Sequence, residues 1–312
     1  MRPRTRTRPA DYRRIFESLP LGLMVWHLED PEDPTTLRLL SMNEAAAQAT
    51  GVSPRLILGK RMSEAFPEAG PRGIAAELAG VAAAGAARDL GEVAYGDARS
   101  SDGIYTVFAF PLADHRVAVA FENVTRRKLA ELARDRREGL ASLAYRLLET
   151  CNASVTATAA YTGCLDAICQ YARWPLGHVL LRGANDDALR SARLWCAEDR
   201  VRFKAFCQLS ESLAFKRGVG LPGRVWESGR PSWIIDVGAD DNFPRARLLP
   251  DCGLKGACGF PVLCEGDVVG VLEFFSPEAR VPDPDLLQLM EAAGRQLGHV
   301  VRRHGESAPA AS

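Results

Sequence analysis

The sequence predicts an α+β protein of two domains joined by a long helix. Three observations carry this. Residues 11–125 read as two strands, several short helices and then three strands, a grouping that belongs to α+β folds rather than to alternating β-α repeats. Residues 126–150 hold no proline and pack six Lys or Arg into their first twelve positions. All eight cysteines fall between Cys151 and Cys264, so the two halves differ in composition. A length of 312 residues suits two ordinary domains. Apolar residues make up 47% and charged residues 25%, as in a soluble globular chain. Lys plus Arg and Asp plus Glu both total 39, and this balance argues against a nucleic-acid coat, which needs a basic surface. No run approaches the roughly 18 apolar residues of a membrane helix.

The opening MRPRTRTRPA has no apolar core behind its arginines, so it is not a secretory signal and is expected to be a disordered basic arm over residues 1–10. Without export the thiols are expected to stay reduced in the cytoplasm. Leu21–Leu28 is a short apolar run that reads as a buried strand, and Leu37–Asn43 as a second. Glu44–Thr50 is helical and Gly51 stops it. Over 72–87, Ile74, Leu78 and Val81 keep helical spacing among alanines. Leu90–Gly96, Ile104–Leu112 and Arg116–Val124 follow as strands, the last alternating through Val117, Val119 and Phe121.

In 126–150, Leu129 and Leu132 begin one heptad-like stripe and Leu140, Leu143 and Leu147 restart it out of phase, the mark of a stutter in a coiled coil or of a single amphipathic helix. Helix is expected to run on to about Arg173. His178–Arg182 and Leu189–Glu198 read as strands, and Phe203, Phe206, Cys207, Ser210, Leu213 and Ala214 as one helix face. Trp233–Val237 reads as a short strand. Ala257–Cys264 and Val268–Phe275 flank Glu265-Gly266-Asp267 as a hairpin. A last helix starts with Asp283 as cap and Pro284 in its first turn. The tail over 304–312 is expected to be disordered.

Certain runs go further than element types. Met42-Asn43-Glu44-Ala45-Ala46, Thr50-Gly51-Val52-Ser53, Leu58-Gly59-Lys60-Arg61 and Ala65-Phe66-Pro67 stand in one order, closed by Val119 to Lys128. Residues 11–125 thereby resemble a PAS domain, with Asn123 where its closing motif usually carries Asp. Gly218 to Trp226, Gly229 to Trp233, Asp236-Val237, Asn242 to Ala246, Gly259 to Val262 and Val269 to Ser276 resemble a GAF domain of the bacterial sensor type, taken as 151–303. The resemblance implies antiparallel sheets flanked by helices in both domains, joined by a helical linker over 126–150. It also implies a sensory role.

Gly218, Gly220 and Gly223 spell GxGxxG, but no strand-and-long-helix frame surrounds them, and Gly229 and Pro231 stop the following helix early. The glycines are better read as permitting a tight turn. No kinase, cyclase or phosphodiesterase motif is found. The first half has no Cys for a flavin adduct and no His on helix 72–87 for haem. No Cys precedes a His as bilin attachment requires. No cofactor or metal is expected. One enzymatic alternative is a thiol-dependent free methionine sulfoxide reductase, for which Cys252 and Cys258 are the redox candidates.

The expected function is that of a non-enzymatic cytoplasmic sensor in a two-component system. It would bind an unknown small molecule, form a homodimer through the linker as a coiled coil, and relay to a separate histidine kinase or other effector, with no nucleic acid or membrane involved. Ligand-binding candidates in the first domain are Trp26, Asn43, Phe66, Tyr105, Phe108 and Phe121. In the second they are Trp195, Phe206, Trp233, Asp236, Phe260 and Glu273.

Overall fold

The computed structural model describes residues 9–98, 100, 102–183 and 187–304. The expected arm and tail lie outside these residues, save that Pro9 and Ala10 open a helix and His304 ends one. The chain divides into two compact units, Met1–Arg134 and Asp135–Ser312. Among the described residues no helix is long and apolar enough to cross a membrane.

The first unit begins with helix α1 (Pro9–Ser18) and strands β1 (Gly22–Leu28) and β2 (Leu37–Met42). Four helices follow: α2 (Glu44–Thr50), α3 (Pro54–Ile57), α4 (Met62–Ala65) and α5 (Ile74–Ala84). Strands β3 (Arg88–Tyr95), β4 (Gly103–Leu112) and β5 (Arg116–Asn123) complete a five-stranded antiparallel sheet in the order β2-β1-β5-β4-β3. Alternation decides which side chains meet the helices. In β1, Met24, Trp26 and Leu28 are buried while Leu23, Val25 and His27 are only half so. Gly51, at φ 74°, ends α2 with its N–H on the Ala47 carbonyl.

Helix α6 (Thr125–Ala153) is continuous across the division between the units. Helix does not run unbroken to Arg173, as the sequence suggested. It stops at Ala153 and restarts as α7 (Ala157–Ala172), because Thr156 takes an extended conformation and its hydroxyl accepts the Ala159 N–H at 3.1 Å.

The second unit continues through β6 (Leu176–Arg182), β7 (Leu189–Ala197), α8 (Lys204–Ser212), β8 (Ala214–Phe215), α9 (Gly220–Ser228), β9 (Ser232–Ile234), α10 (Leu249–Cys252), β10 (Gly256–Cys264), β11 (Asp267–Ser276) and α11 (Pro284–His304). Its six strands are antiparallel in the order β8-β7-β6-β11-β10-β9. Ala214, expected on the face of the preceding helix, lies in β8, since it pairs with Arg190. The sheet is covered on both faces, which is why β10 and β11 read as nearly continuous apolar runs. Leu165, Ile168, Phe260, Phe274 and Met290 pack on the face shared with α7 and α11. Phe203, Phe206, Val225, Trp226 and Phe275 pack on the other.

Helix α11 lies directly on β10 because two of its residues lack a side chain. A Cβ on Gly294 would stand 2.0 Å from the Pro261 carbonyl oxygen, and one on Gly298 would stand 1.7 Å from that of Leu263.

Candidate functional site

Inward-facing residues of the first sheet and the helices over it line a partly open cavity of about 100 Å³. Met24 and Trp26 come from β1, Val93 and Tyr95 from β3, Tyr105 and Val107 from β4, Val119 and Phe121 from β5, and Ile74 and Leu78 from α5. Phe66, between α4 and α5, meets Trp26 edge-on at 6.1 Å and Tyr95 at 5.9 Å, while Tyr105 and Phe121 pair at 5.9 Å. The hydroxyls of this lining are already engaged, that of Thr50 donating to the Ala46 carbonyl at 2.8 Å. The Tyr105 hydroxyl donates to the Ala49 carbonyl at 3.1 Å, and that of Tyr95 donates to Asp97. Burial raises both phenols, with the Asp97 carboxylate adding to the effect at Tyr95. The cavity therefore carries no charge and offers an apolar surface.

Of the residues expected at this site, Trp26, Phe66, Tyr105 and Phe121 line it. Asn43 and Phe108 do not. Asn43 is fully buried and wholly occupied by backbone. Its Oδ1 accepts from Leu23 N and Ala46 N, both at 2.9 Å, and its Nδ2 donates to the Phe16 and Leu21 carbonyls at 3.0 and 2.9 Å. Phe108 is 43% exposed because it follows Val107 by one residue on β4, and the strand period turns it to the opposite face, beside Phe110.

The strand-to-helix exit is a hydrogen-bonded corner. Asn123 Oδ1 accepts from Thr125 N and Oγ1 at 3.1 and 2.6 Å, and Thr125 Oγ1 accepts from Ile104 N at 2.8 Å. The amide oxygen of Asn123 thus makes, without charge, the contacts available to a carboxylate.

The second unit is built differently. Glu273 on β11 has no exposure and receives Arg245 through two bonds, Nη1 to Oε1 at 2.6 Å and Nη2 to Oε2 at 2.7 Å. The guanidinium sits among the rings of Phe206, Phe215, Phe243 and Phe275, each 5.0–5.3 Å away. Burial would raise the Glu273 carboxyl, but Arg245 and then His178 outweigh it and hold it at about 2. Burial lowers His178, which stands neutral between Glu273 (Nδ1 to Oε1, 2.9 Å) and Ser191 (Nε2 to Oγ, 2.7 Å). Trp195 stacks on that imidazole at 3.6 Å and 5°.

Trp195, Phe206 and Glu273 are thus brought together. Phe260 and Trp233 lie across the sheet, where Phe260 stacks on Phe274 and Trp233 donates Nε1 to the Arg280 carbonyl at 2.7 Å. Asp236 is exposed and caps a short 3-10 turn by accepting the Gly238 N–H at 2.8 Å. Cys252 and Cys258 are buried in the cores on opposite faces of the sheet, and burial raises both thiols. They are not placed as an attacking and a resolving thiol.

Sequence reasoning missed Arg245, which entered only as part of the run Asn242 to Ala246 and was given no role. The available signal was Glu273 itself, an acid inside an apolar strand that needs a buried cation. Asn242 was missed too. It ties the glycine turn together, with Oδ1 accepting Gly220 N at 2.8 Å and Nδ2 donating to Gly218 O at 2.7 Å. Gly218 and Gly220 hold φ of 77° and 63° there, as a tight turn requires.

These features define a chain of two α+β modules, the first with an uncharged cavity and the second with its interior filled by an ion pair. Residues 16–129 match the PAS fold and residues 154–302 match the GAF domain, so the chain carries a PAS fold followed by a GAF domain. Such a pairing points to a sensory, signal-transducing module. Among solved structures, the chain is similar to the GAF domain of a phosphoenolpyruvate-protein phosphotransferase from Coxiella burnetii, at 15% identity and TM-score 0.46 over 54% of this chain and 97% of that one. It is also similar to the nlh2 GAF domain of A. aeolicus in an inactive state, at 20% identity and TM-score 0.42 over 54% and 98%. A free methionine-R-sulfoxide reductase from Neisseria meningitidis, in complex with its substrate, matches at 14% identity and TM-score 0.44 over 53% and 90%.

Proposed function

We propose that this chain is a cytoplasmic, non-enzymatic sensor whose PAS cavity takes a small, uncharged, apolar molecule. Its occupancy would be relayed through α6, in a homodimer, to a separate effector such as a histidine kinase. The supporting observation is the cavity lining: aromatic and aliphatic side chains, with each tyrosine hydroxyl already given to a protein acceptor. A volume of about 100 Å³ is somewhat below the ~150 Å³ of an apolar cavity that binds benzene or xenon, so the fitting molecules are small. Arg245 and Glu273 neutralise each other within the GAF domain, which supports placing the input site in the PAS domain.

The test is calorimetric titration of the full chain with benzene and, in parallel, with acetate as a charged molecule of small size. Benzene should bind and acetate should not. Ala69→Leu, which fills the lining from α5's approach segment, should remove benzene binding while leaving the fold intact by circular dichroism. Absence of benzene binding to the wild-type chain would sink the reading.

A further inference from the structure

Cysteines in the GAF domain stand in a relationship that the sensory reading leaves unused. Cys151, in the last turn of α6, and Cys164, in the middle of α7, bring their sulfurs to 3.9 Å within the core. We propose that these two residues form an oxidation site, a dithiol that a hydroperoxide closes to an intramolecular disulfide tying α6 to α7.

Three features of the surroundings support this. The sulfurs need to approach by about 2 Å, and the chain between the two helices offers that freedom. Ser154 and Val155 are outside regular helix, and Val155 is 80% exposed. Next, Cys151 lies in a terminal turn, close to the end of a second helix. Arg303, in the last turn of α11, donates Nη2 to the Cys151 carbonyl at 3.0 Å and to that of Ser154 at 3.4 Å. Terminal turns open locally at low cost, so a small oxidant gains entry there more easily than at Cys258, on an inner strand of the sheet. Finally, the two thiols differ in character. The hydrogen bond from Cys164 and the Arg303 guanidinium draw the Cys151 thiol down, against burial. The same bond and burial push Cys164 up, leaving it a thiol.

The chemistry follows from that asymmetry. The Cys151 thiolate attacks the terminal oxygen of the peroxide and the O–O bond breaks, giving a sulfenic acid and, after proton uptake, water from hydrogen peroxide or the alcohol from an organic hydroperoxide. Cys164 sulfur then attacks the Cys151 sulfur, an S–S bond forms, and the S–O bond breaks with loss of water. Two electrons pass from the thiols to the hydroperoxide in total. The disulfide pins the last turn of α6 to α7 and would restrict any movement of that helix.

The test uses the full chain, reduced, desalted and treated with a modest molar excess of hydrogen peroxide. It is then alkylated under denaturing conditions, digested without reductant and mapped by mass spectrometry. The expected main product is a peptide pair joined through Cys151 and Cys164, with two thiols lost per chain and both regained on adding dithiothreitol. In Cys164→Ala, dimedone should trap a sulfenic acid at Cys151. Should that variant fail to fold, the wild-type map decides alone. Recovery of both residues as free thiols would overturn the proposal. So would prior closure of a different pair such as Cys169 and Cys196, or Cys151 carried to sulfinic acid beside a free Cys164.

Discussion

Arg245 and Glu273 face each other through two parallel hydrogen bonds of 2.6 and 2.7 Å, and neither side chain has any exposure. Such a pair stabilises little relative to apolar residues of the same shape, but losing one partner strands the other. Arg245→Ala should therefore cost about 3–5 kcal/mol in GAF-domain stability, measured by urea unfolding. Replacing both residues together with Leu should recover much of that loss. If Arg245→Ala and wild type unfold at the same urea concentration, the pair has no structural weight.

Acid sensitivity should follow from the same cluster. The Glu273 carboxyl lies at about 2 in the folded chain against its ordinary 4.5, so unfolding gains a proton only once the pH drops below 4.5. Its contribution is complete above that value and is lost as pH falls toward 2. His178 is lowered from 6.5, so the unfolded chain takes up that proton first, and stability begins to decline below about 6.5. Both groups act in one direction, and neither predicts loss at high pH. Stability of wild type and His178→Gln, followed by urea unfolding from pH 8 to 4, checks the first step. The variant should show a flatter profile between pH 6.5 and 5.

How far this architecture could be read in advance depended on whether a residue's role was local. Trp26 and Phe121 sit on strands whose alternation is visible in the chain, and the cavity-facing side follows directly. Phe108 has the same composition and the opposite parity, and only the register with β5 settles which face is inward. Asn43 looked like a ligand contact because polar residues near a pocket draw attention, yet its bonds reach back to Phe16 and Leu21, and partners at that separation leave no sequence mark. Arg245 and Glu273 are 28 residues apart on different elements, and their pairing is a product of tertiary structure alone.

Asn43 should prove a stability residue. Asn43→Ala removes the α2 cap, worth about 1 kcal/mol, and strands the Leu23 N–H and two carbonyls, at about 1–3 kcal/mol for a buried unpaired group. A loss of several kcal/mol in PAS-domain unfolding is expected, with benzene affinity retained in whatever fraction stays folded. Asn43→Asp keeps the acceptor oxygen but turns a carboxylate oxygen on the Phe16 and Leu21 carbonyls in a fully buried site, so at neutral pH it should be no more stable than Ala.

Two glycines should respond to alanine in opposite directions. Gly80 lies on the exposed side of α5, and an added Cβ meets nothing within 4 Å, so Gly80→Ala should stabilise the PAS domain by about 0.5–1 kcal/mol through the helix backbone alone. Gly298 is as helical, but its Cβ would drive into the Leu263 carbonyl at 1.7 Å. The helix would have to lift from β10, and overpacking of this kind costs about 1–3 kcal/mol or more. Thermal unfolding of the two variants beside wild type reads both effects. A gain at Gly298 would mean that α11 does not rest on β10, and would leave the burial of Met290, Leu297 and Val300 without its cause.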